Sequence, residues 1–274
     1  MTELVRTRSE LAAARALLPG PVGLVPTMGA LHAGHRANIE ASQAAGKSTV
    51  VSIFVNPMQF NQASDLERYP RPLEADLALC ADAGVDLVWH PDLETMYPAG
   101  PVEIRVTAGQ LADQLEGPNR PGHFDGVLTV VSKLFNAVRP DQAFFGEKDY
   151  QQLTLIRRMA LDLDVPVTIT GVPTVREPDG LALSSRNVFL GPAERERATQ
   201  LYRALRAAQD NADTAETALA AARAELDGVD VEYLELRDPE LGPVSAGASR
   251  MLVAAHVGSV RLIDNMPMII GQVR

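Results

Sequence analysis

Short apolar runs alternate with helix-favouring stretches along the first two thirds of the chain. The runs have the composition of strands that are covered on both faces, and they span residues 22–25, 48–55, 86–89, 143–145 and 165–172. Helix-favouring stretches separate them at residues 34–45, 72–83, 124–138 and 150–163, after an N-terminus that also favours helix. Strands that alternate with helices predict a mostly parallel sheet with right-handed crossovers. We therefore expect a Rossmann-like α/β domain over residues 1–172.

The hydrophobic pattern changes near Pro173. Residues 177–180 (EPDG) are typical of a turn between two short strands. An Ala-, Glu-, Arg- and Leu-rich stretch at residues 193–226 predicts helices that are interrupted near residues 210–213. Three further strands are expected at residues 230–236, 251–255 and 259–263. We therefore predict a smaller C-terminal α/β lid domain over residues 173–274.

Composition narrows the class of protein. The chain has 274 residues, of which 46% are hydrophobic and 22% charged, and this excludes a disordered polar chain. Its net charge of −10 disfavours duplex nucleic acid as a partner. Cys80 is the one cysteine, which allows no internal disulfide and fits a reducing compartment. No apolar run is long enough for a bilayer, and the N-terminus lacks a signal-peptide core. We expect a cytoplasmic protein without membrane partners.

The segment PTMGALHAGH, at residues 26–35, carries the most specific chemistry. It joins the first predicted strand to the following helix, where open parallel sheets bind ligands and where helix N–H groups attract anions. Gly29 and Gly34 let the backbone approach a ligand closely. His32 and His35 are three residues apart and therefore share a helix face. Two imidazoles aimed at a phosphate can donate hydrogen bonds to charge that grows in a transition state.

Other interpretations of this segment are weaker. A metal site is disfavoured, because the Glu of H-E-x-x-H is missing and no cysteine is near. Helix capping would explain one histidine, but His-x-Gly-His directly after a strand is more specific. The segment matches neither the dinucleotide fingerprint nor a P-loop. Gly46-Lys47-Ser48 is no P-loop either, because it leads into a strand rather than a helix.

Two amides follow the second predicted strand. Asn56 and Gln59 lie in the segment FVNPMQF, and each amide both donates and accepts hydrogen bonds. Such groups suit a small hydroxy acid or an amide as ligand. Turn formation is the competing explanation for Asn56, because a proline follows it.

Two more segments place cations beside predicted strands or turns. In FFGEKDYQQ, Gly146 permits a close approach, Lys148 supplies a point charge for phosphate, and Gln152 lies one turn later on the same face. The segment LSSRN, at residues 183–187, has two hydroxyls and a guanidinium that suit a triphosphate. Taken alone, a solvated turn with a helix cap explains LSSRN better.

Together with RPGHFDGV, these segments occur in the order expected of the pantoate–β-alanine ligase (pantothenate synthetase) family. The resemblance runs from about residue 3 to residue 270, and its wider relatives are the HIGH-motif nucleotidylyltransferases. It implies an ATP-dependent condensation of (R)-pantoate with β-alanine through a pantoyl-adenylate, with release of AMP and pyrophosphate. It also implies Mg²⁺ as the cofactor that accompanies ATP, and a homodimer. Leu183 departs from the family, which usually has Met there, but the two side chains have similar volumes.

The resemblance also implies roles for individual residues. His35 would be the proton donor, with His32, Lys148 and Arg186 as its catalytic partners on the phosphates. The ATP-binding residues would be Met28, Gly29, Ala30, Leu31, His32, Ala33, Gly34, His35, Gly146, Glu147, Lys148, Asp149, Val175, Leu183, Ser184, Ser185 and Arg186. The residues for pantoate and β-alanine would be Gln59, Gln152, Asn56, Tyr69, Arg120 and His123. Mg²⁺ would be held largely by the ATP phosphates, and no protein ligand is assigned to it.

Two other functions compete with this interpretation. An adenylyltransferase acting on a phosphate acceptor would share the His-x-Gly-His turn, but such relatives lack the segments NPMQ, RPGH and GEKD that this chain carries. A non-catalytic nucleotide-binding protein would more naturally have lost His32, His35 or Lys148, and all three are present. The polar stretch at residues 58–69 is expected to act as a flap.

Overall fold

The computed structural model describes residues 2–271, which divide into two compact units. The first contains the chain up to Glu147 together with Gln152–Pro173, and the second contains Lys148–Gln151 together with the chain from Thr174 onward. The short segment Lys148–Gln151 therefore belongs with the C-terminal part of the chain. An independent domain boundary between residues 172 and 173 stays a prediction.

The first unit is built on a parallel sheet of six strands. In chain order they are β1 (Glu3–Val5), β2 (Val22–Thr27), β3 (Ser48–Ile53), β4 (Leu87–Trp89), β5 (Gln142–Gly146) and β6 (Thr168–Val172). Their order across the sheet is β1-β4-β3-β2-β5-β6, and every neighbouring pair is parallel. The order of the strands reverses at β2, and ligands bind beyond the strand ends at such a reversal. The predicted Rossmann-like sheet is confirmed.

Seven helices follow or cross this sheet within the described residues: α1 (Arg8–Leu17), α2 (Ala33–Ala44), α3 (Ala63–Arg68), α4 (Leu73–Asp82), α5 (Leu93–Met96), α6 (His123–Val138) and α7 (Tyr150–Asp162). The first two residues of α7 belong to the second unit. The helices α2 and α4 cover the sheet with an apolar cluster that includes Val25, Ile39 and Cys80. None of the helices in residues 2–271 has both the length and the apolar character that a bilayer crossing needs.

The N-terminus of the first unit differs from the sequence interpretation, whereas the expected flap is not tested. The N-terminus begins with the short strand β1 rather than helix, because a capping box between Thr7 and Glu10 starts α1 only at Arg8. The stretch at residues 58–69 contains one 3-10 turn, Pro57–Gln59, and the helix α3. Its movement as a flap stays a prediction.

The second unit packs two helices on an antiparallel sheet of three strands. The helices are α8 (Pro192–Asp210) and α9 (Ala215–Glu225), and the strands are β7 (Asp230–Arg237), β8 (Gly247–Val257) and β9 (Val260–Ile270). A stripe of Ala and Leu on α8 joins the apolar residues of the sheet in one core. Both β8 and β9 are much longer than predicted, and the two strands predicted around residues 177–180 amount to one bridge between Arg176 and Ala182. The smaller α/β unit itself is confirmed.

The buried thiol of Cys80 gives a first testable prediction. Burial raises the pKa of Cys80 to about 12, so that only ~10⁻⁴ of the thiol is ionised at pH 8. We expect the folded protein not to react with a thiol reagent such as 5,5′-dithiobis(2-nitrobenzoate), and the urea-unfolded protein to react with one equivalent. Cys80→Ser should keep most of the activity, since the thiol only fills the core. Complete loss of activity in a folded Cys80→Ser protein would reveal thiol chemistry.

Candidate active site

The turn after β2 is held by a buried carboxylate. Oδ2 of Asp76 accepts a hydrogen bond from the N–H of Ala30 at 2.9 Å, and Oδ1 accepts one from the N–H of Leu31 at 2.7 Å. Gly29 and Ala30 are both left-handed, with φ of 80° and 51°. A Cβ at residue 29 would lie 2.9 Å from Oδ2 of Asp76, so only glycine fits without displacing the carboxylate. The hydrogen bonds of Asp76 therefore anchor the backbone of this turn to α4, and they do not depend on a ligand.

Asp76 is almost completely buried, and burial raises the pKa of its carboxyl. The backbone N–H groups of Leu31 and Ala30 oppose this shift, as does the charge of His90. Two convergent N–H donors favour the ionised carboxylate in this position, whereas the surrounding apolar core disfavours it. Nothing in the sequence singles out this aspartate, because a single acidic residue in an amphipathic helix normally faces solvent.

His32 and His35 use the same ring atom to cap α2. Nδ1 of His32 accepts from the N–H of Gly34 at 3.1 Å, and Nδ1 of His35 accepts from the N–H of His32 at 3.2 Å. A ring nitrogen that accepts carries no hydrogen, so this hydrogen-bond network assigns the hydrogen of each ring to Nε2. The ring centroids are 4.2 Å apart. The two histidines therefore lie side by side at the start of α2, and each carries an Nε2–H donor.

The N-terminus of α2 itself favours an anion. The helix has 12 residues, and its first turn contains no acidic side chain. Positive partial charge at such a helix end attracts phosphate. Gly34 cannot be replaced simply, because a Cβ there would lie 2.9 Å from Cε1 of the His32 ring. The histidine pair, the glycine and the helix end thus form one unit.

Asn56 is completely buried and has partners on both sides of its amide. Its Nδ2 donates to Oε1 of Gln59 at 3.2 Å and to the carbonyl oxygen of Gly126 at 3.1 Å. Its Oδ1 accepts from the N–H of Met58 at 3.3 Å and from the hydroxyl of Tyr97 at 2.7 Å. These contacts agree with the turn-forming explanation of Asn56. A direct contact of Asn56 with substrate stays a prediction.

Gln59 connects the turn after β3 with the turn after β2. The side-chain Nε2 of Gln59 lies 2.9 Å from Sδ of Met28, which is a weak acceptor. The main-chain carbonyl oxygen of Gln59 lies 2.8 Å from Nδ1 of His123. Thus Met28, Gln59 and His123, which are far apart in sequence, lie together in the first unit. A carbonyl or hydroxyl oxygen of a ligand would be a stronger partner for the Gln59 amide than the thioether.

The remaining predicted substrate residues of the first unit have other neighbours. Tyr69 packs edge-to-face on Phe60, with ring centroids 5.6 Å apart. Arg120 forms an ion pair with the buried Glu116 at 3.5 Å. Gln152 lies partly exposed in the first turn of α7. The pairing of Arg120 with Glu116 shows that this guanidinium has a structural partner besides any substrate it contacts.

A close approach of α6 to the Asn56–Gln59 turn gives a second prediction. A Cβ on Gly126 would lie 2.3 Å from the carbonyl oxygen of Met58, which is a backbone atom. We expect Gly126→Ala to lower the free energy of unfolding by about 1–3 kcal/mol, although alanine is the better helix former. Urea denaturation measures this change. The control is Asn136→Ala at an exposed position of α6, which should change the free energy of unfolding by less than about 0.5 kcal/mol. If Gly126→Ala were as stable as Asn136→Ala, the backbone at Met58 would move aside at no cost and the prediction would be wrong.

In the second unit, Lys148 lies at the entry to α7. Its side chain is 17% exposed, and its Nζ is 3.9 Å from Oδ2 of Asp149, whose side chain is 49% exposed. The backbone carbonyl of Lys148 accepts a hydrogen bond from Nδ2 of Asn265 at 2.8 Å. The cation is therefore mostly covered by protein, whereas its neighbouring carboxylate is open to solvent.

The loop that carries LSSRN is also in the second unit. The N–H of Leu183 donates to the carbonyl of Val175 at 3.0 Å, and Oγ of Ser184 accepts from the N–H of Arg186 at 3.2 Å. Ser184 thereby caps the 3-10 turn Ser185–Phe189, as the turn explanation required. Arg186 is exposed. The loop presents a solvent-accessible cation at the end of a short hairpin.

An ion pair between Arg176 and Asp264 connects that hairpin to β9. Two guanidinium nitrogens of Arg176 donate to the two carboxylate oxygens of Asp264 at 2.6 and 2.9 Å. Burial raises the pKa of Asp264, and the Arg176 guanidinium opposes the rise. Neither residue stood out in the sequence, because their 88-residue separation gives no local pattern.

Comparison with known proteins identifies the family of this chain. The family model described as pantoate-beta-alanine ligase matches residues 2–267. A curated relative, the pantothenate synthetase of Salinispora arenicola (strain CNS-205), is 56% identical over 97% of this chain and 97% of its own. A crystal structure of pantothenate synthetase from Thermus thermophilus is 49% identical with a TM-score of 0.90, covering 96% of this chain and 98% of that one.

A second solved structure was determined with ligands. It is the pantoate-beta-alanine ligase from Francisella tularensis complexed with beta-gamma ATP and beta-alanine. It is 36% identical, with a TM-score of 0.83, and covers 97% of both chains. The family model and these relatives span nearly the whole of the described chain. The chain belongs to the pantoate–β-alanine ligase family.

Proposed function

This chain catalyses the ATP-dependent condensation of (R)-pantoate with β-alanine, and we propose which of its residues perform each part of the reaction. The turn at Met28–His35 and the N-terminus of α2 bind ATP, and His32 and His35 donate their Nε2–H groups to its phosphates. One observation carries the proposal: both Nδ1 atoms accept backbone hydrogen bonds, which leaves each ring with its hydrogen on Nε2. Such donors are fixed in place before the reaction begins.

In the first step, a carboxylate oxygen of pantoate attacks the α-phosphorus of ATP. The bond from that phosphorus to the bridging oxygen breaks, and its electron pair leaves with pyrophosphate. Negative charge therefore shifts toward the β-phosphate, and the Nε2–H of His35 donates a hydrogen bond to it. Lys148 and Arg186 supply positive charge for the same shift, the first from a covered position and the second from an exposed loop.

The family resemblance implies further residues for the nucleotide. We assign Gly146, Glu147, Lys148 and Asp149 to ATP, together with Val175 and the loop residues Leu183, Ser184, Ser185 and Arg186. Mg²⁺ accompanies ATP in this proposal: phosphate oxygens and water would be its ligands, and it would offset part of the negative charge of the triphosphate. A binding measurement with ATP in the presence and absence of Mg²⁺ tests this assignment.

In the second step, the amine of β-alanine attacks the acyl carbon of pantoyl-adenylate. The carbon–nitrogen bond forms, the amine loses a proton, and AMP leaves with the electron pair of the carbon–oxygen bond. This step mainly requires that the amine is held near the carbon with water excluded. Gln59 and Gln152 hold pantoate, Gln59 also approaches β-alanine, and Asn56, Tyr69, Arg120 and His123 line the same pocket.

A mass-spectrometric assay tests the reaction as a whole. With ATP, (R)-pantoate and β-alanine present, we expect pantothenate, AMP and pyrophosphate in equal amounts. Omitting β-alanine should leave pantoyl-adenylate bound to the protein, and omitting pantoate should stop AMP formation. An adenylyltransferase would instead retain AMP in its product, and a nucleotide-binding protein without activity would bind ATP unchanged.

The assembly and location of the protein are proposals that follow from the family resemblance. We propose a homodimer, which light scattering coupled to size-exclusion chromatography would detect as twice the 29.5 kDa mass of one chain. We also propose a cytoplasmic location, since the substrates are soluble metabolites and ATP is abundant there. Fractionation of cells that contain the tagged protein tests the location.

A further inference from the structure

Asn265 of β9 holds the backbone of Lys148 within the second unit. Its side chain is 4% exposed, and its Nδ2 donates to the carbonyl oxygen of Lys148 at 2.8 Å. The two residues are 117 positions apart, so the contact depends on the fold of the second unit. A buried hydrogen bond to a main-chain carbonyl sets the orientation of that peptide, and with it the direction in which the Lys148 side chain leaves the backbone.

The acceptor side of the same amide is also used. Oδ1 of Asn265 accepts from Nη1 of Arg250, whose guanidinium lies over the Tyr150 ring at 3.7 Å. The hydroxyl of Tyr150 donates to the carbonyl of Pro239 at 3.0 Å. The chain is therefore held at the backbone carbonyl of Lys148 and, two residues later, by the side chain of Tyr150.

The neighbouring residue connects the LSSRN hairpin to this point. Asp264 binds Arg176 through both oxygens, and Nη2 of Arg176 also donates to the carbonyl of Asn265 at 3.2 Å. Nη1 of Arg176 donates in addition to the carbonyl of Gly180 at 3.0 Å. One dipeptide of β9 thus contacts Lys148 directly and also contacts Arg176, which begins the hairpin that leads to the LSSRN loop.

We propose that Asn265 is a positioning residue for Lys148 in formation of the adenylate, a proposal that rests on the role assigned to Lys148 above. A neutral amide is the side chain that donates to the Lys148 carbonyl and accepts from Arg250 at once. An aspartate at this position would keep the contact with Arg250 but would place an acceptor against the carbonyl oxygen. The Lys148 peptide would then turn away, and its ammonium group would move with it.

The first experiment is Asn265→Asp, followed by pyrophosphate–ATP exchange in the presence of pantoate. We expect exchange to fall by about 10–100-fold, since a displacement of about 1 Å at a reacting group has effects of this size. The reaction of β-alanine with separately supplied pantoyl-adenylate should fall by less than about threefold, because pyrophosphate has already left. Asn265→Ser, which adds no charge, replaces the aspartate variant if that variant does not fold.

A double-mutant cycle separates positioning from general destabilisation. In the Lys148→Ala background, Asn265→Asp should reduce exchange no further, because the side chain that it positions is gone. The same four proteins are also compared by their Kd for ATP, because this quantity stays measurable when exchange is slow. A matched control is Arg261→Met, which removes an ion pair of Arg261 with Glu232 between β9 and β7 and should leave exchange unchanged.

The outcomes are distinct. Wild-type exchange in a folded Asn265→Asp protein overturns the proposal, and so does an equal loss in the wild-type and Lys148→Ala backgrounds. Wild-type exchange in Lys148→Ala alone would instead refute the role given to Lys148. A loss by Asn265→Asp that disappears in the Lys148→Ala background supports the proposal.

Discussion

His35→Asn is expected to lower pyrophosphate–ATP exchange by about 10²–10⁴-fold while the protein stays folded. The amide oxygen of asparagine can occupy the place of Nδ1 and accept from the N–H of His32, which His35 does at 3.2 Å. The cap of α2 is thereby kept, but the Nε2–H donor is lost. The measurement is exchange in the presence of pantoate, with the unfolding transition recorded alongside.

The matched variant is His35→Gln, whose longer side chain can carry an amide N–H near the position of Nε2. We expect His35→Gln to keep more of the exchange activity than His35→Asn but to unfold more readily, because it caps less well. This opposite ranking of activity and stability separates phosphate contact from helix capping. Equal exchange rates for His35→Asn and wild type would remove His35 from the catalytic residues.

Lys148→Ala is expected to reduce the same exchange by about 10²–10³-fold. We assign the Lys148 ammonium group to the ATP phosphates. Alanine at this position removes the positive charge that offsets the negative charge of the phosphates. The second half-reaction, started from pantoyl-adenylate, should be much less affected. Rapid quenching of the two half-reactions in separate experiments measures the difference.

Lys47→Ala is the matched control for Lys148→Ala, because it removes the same charge elsewhere in the chain. Lys47 precedes β3 and lies in the Gly46-Lys47-Ser48 sequence, which only superficially resembles a P-loop. We expect its exchange rate to equal that of the wild type. If Lys47→Ala lost activity and Lys148→Ala did not, the assignment of the phosphate-binding lysine would be reversed.

Local patterns in the sequence were sufficient to predict most of the parallel sheet. Strands such as β3 are continuously apolar and end at turn residues, so their existence follows from the sequence alone. The lengths of β8 and β9 did not follow, because polar residues within them are buried by partners from elsewhere. Arg250 and Asp264 are examples: each is nearly inaccessible, and each has a charged or amide partner in the second unit.

The candidate site likewise contains residues that the sequence predicted and residues that it did not. His32, His35 and Lys148 stood out because their spacing beside strands or glycines is itself a signal. Asp76 and Asn265 did not, because their contacts join residues 45 and 117 positions apart. Side chains that orient other groups through long-range hydrogen bonds leave no periodic mark in a single sequence, so only coordinates identify them.

The fit between Gly34 and the His32 ring restricts how this segment can change. Any side chain at residue 34 would require the ring of His32 to swing away, because its Cε1 lies 2.9 Å from the position of a Cβ. In a library randomised at residues 32 and 34, variants selected for growth without pantothenate would therefore carry histidine and glycine together or neither of them.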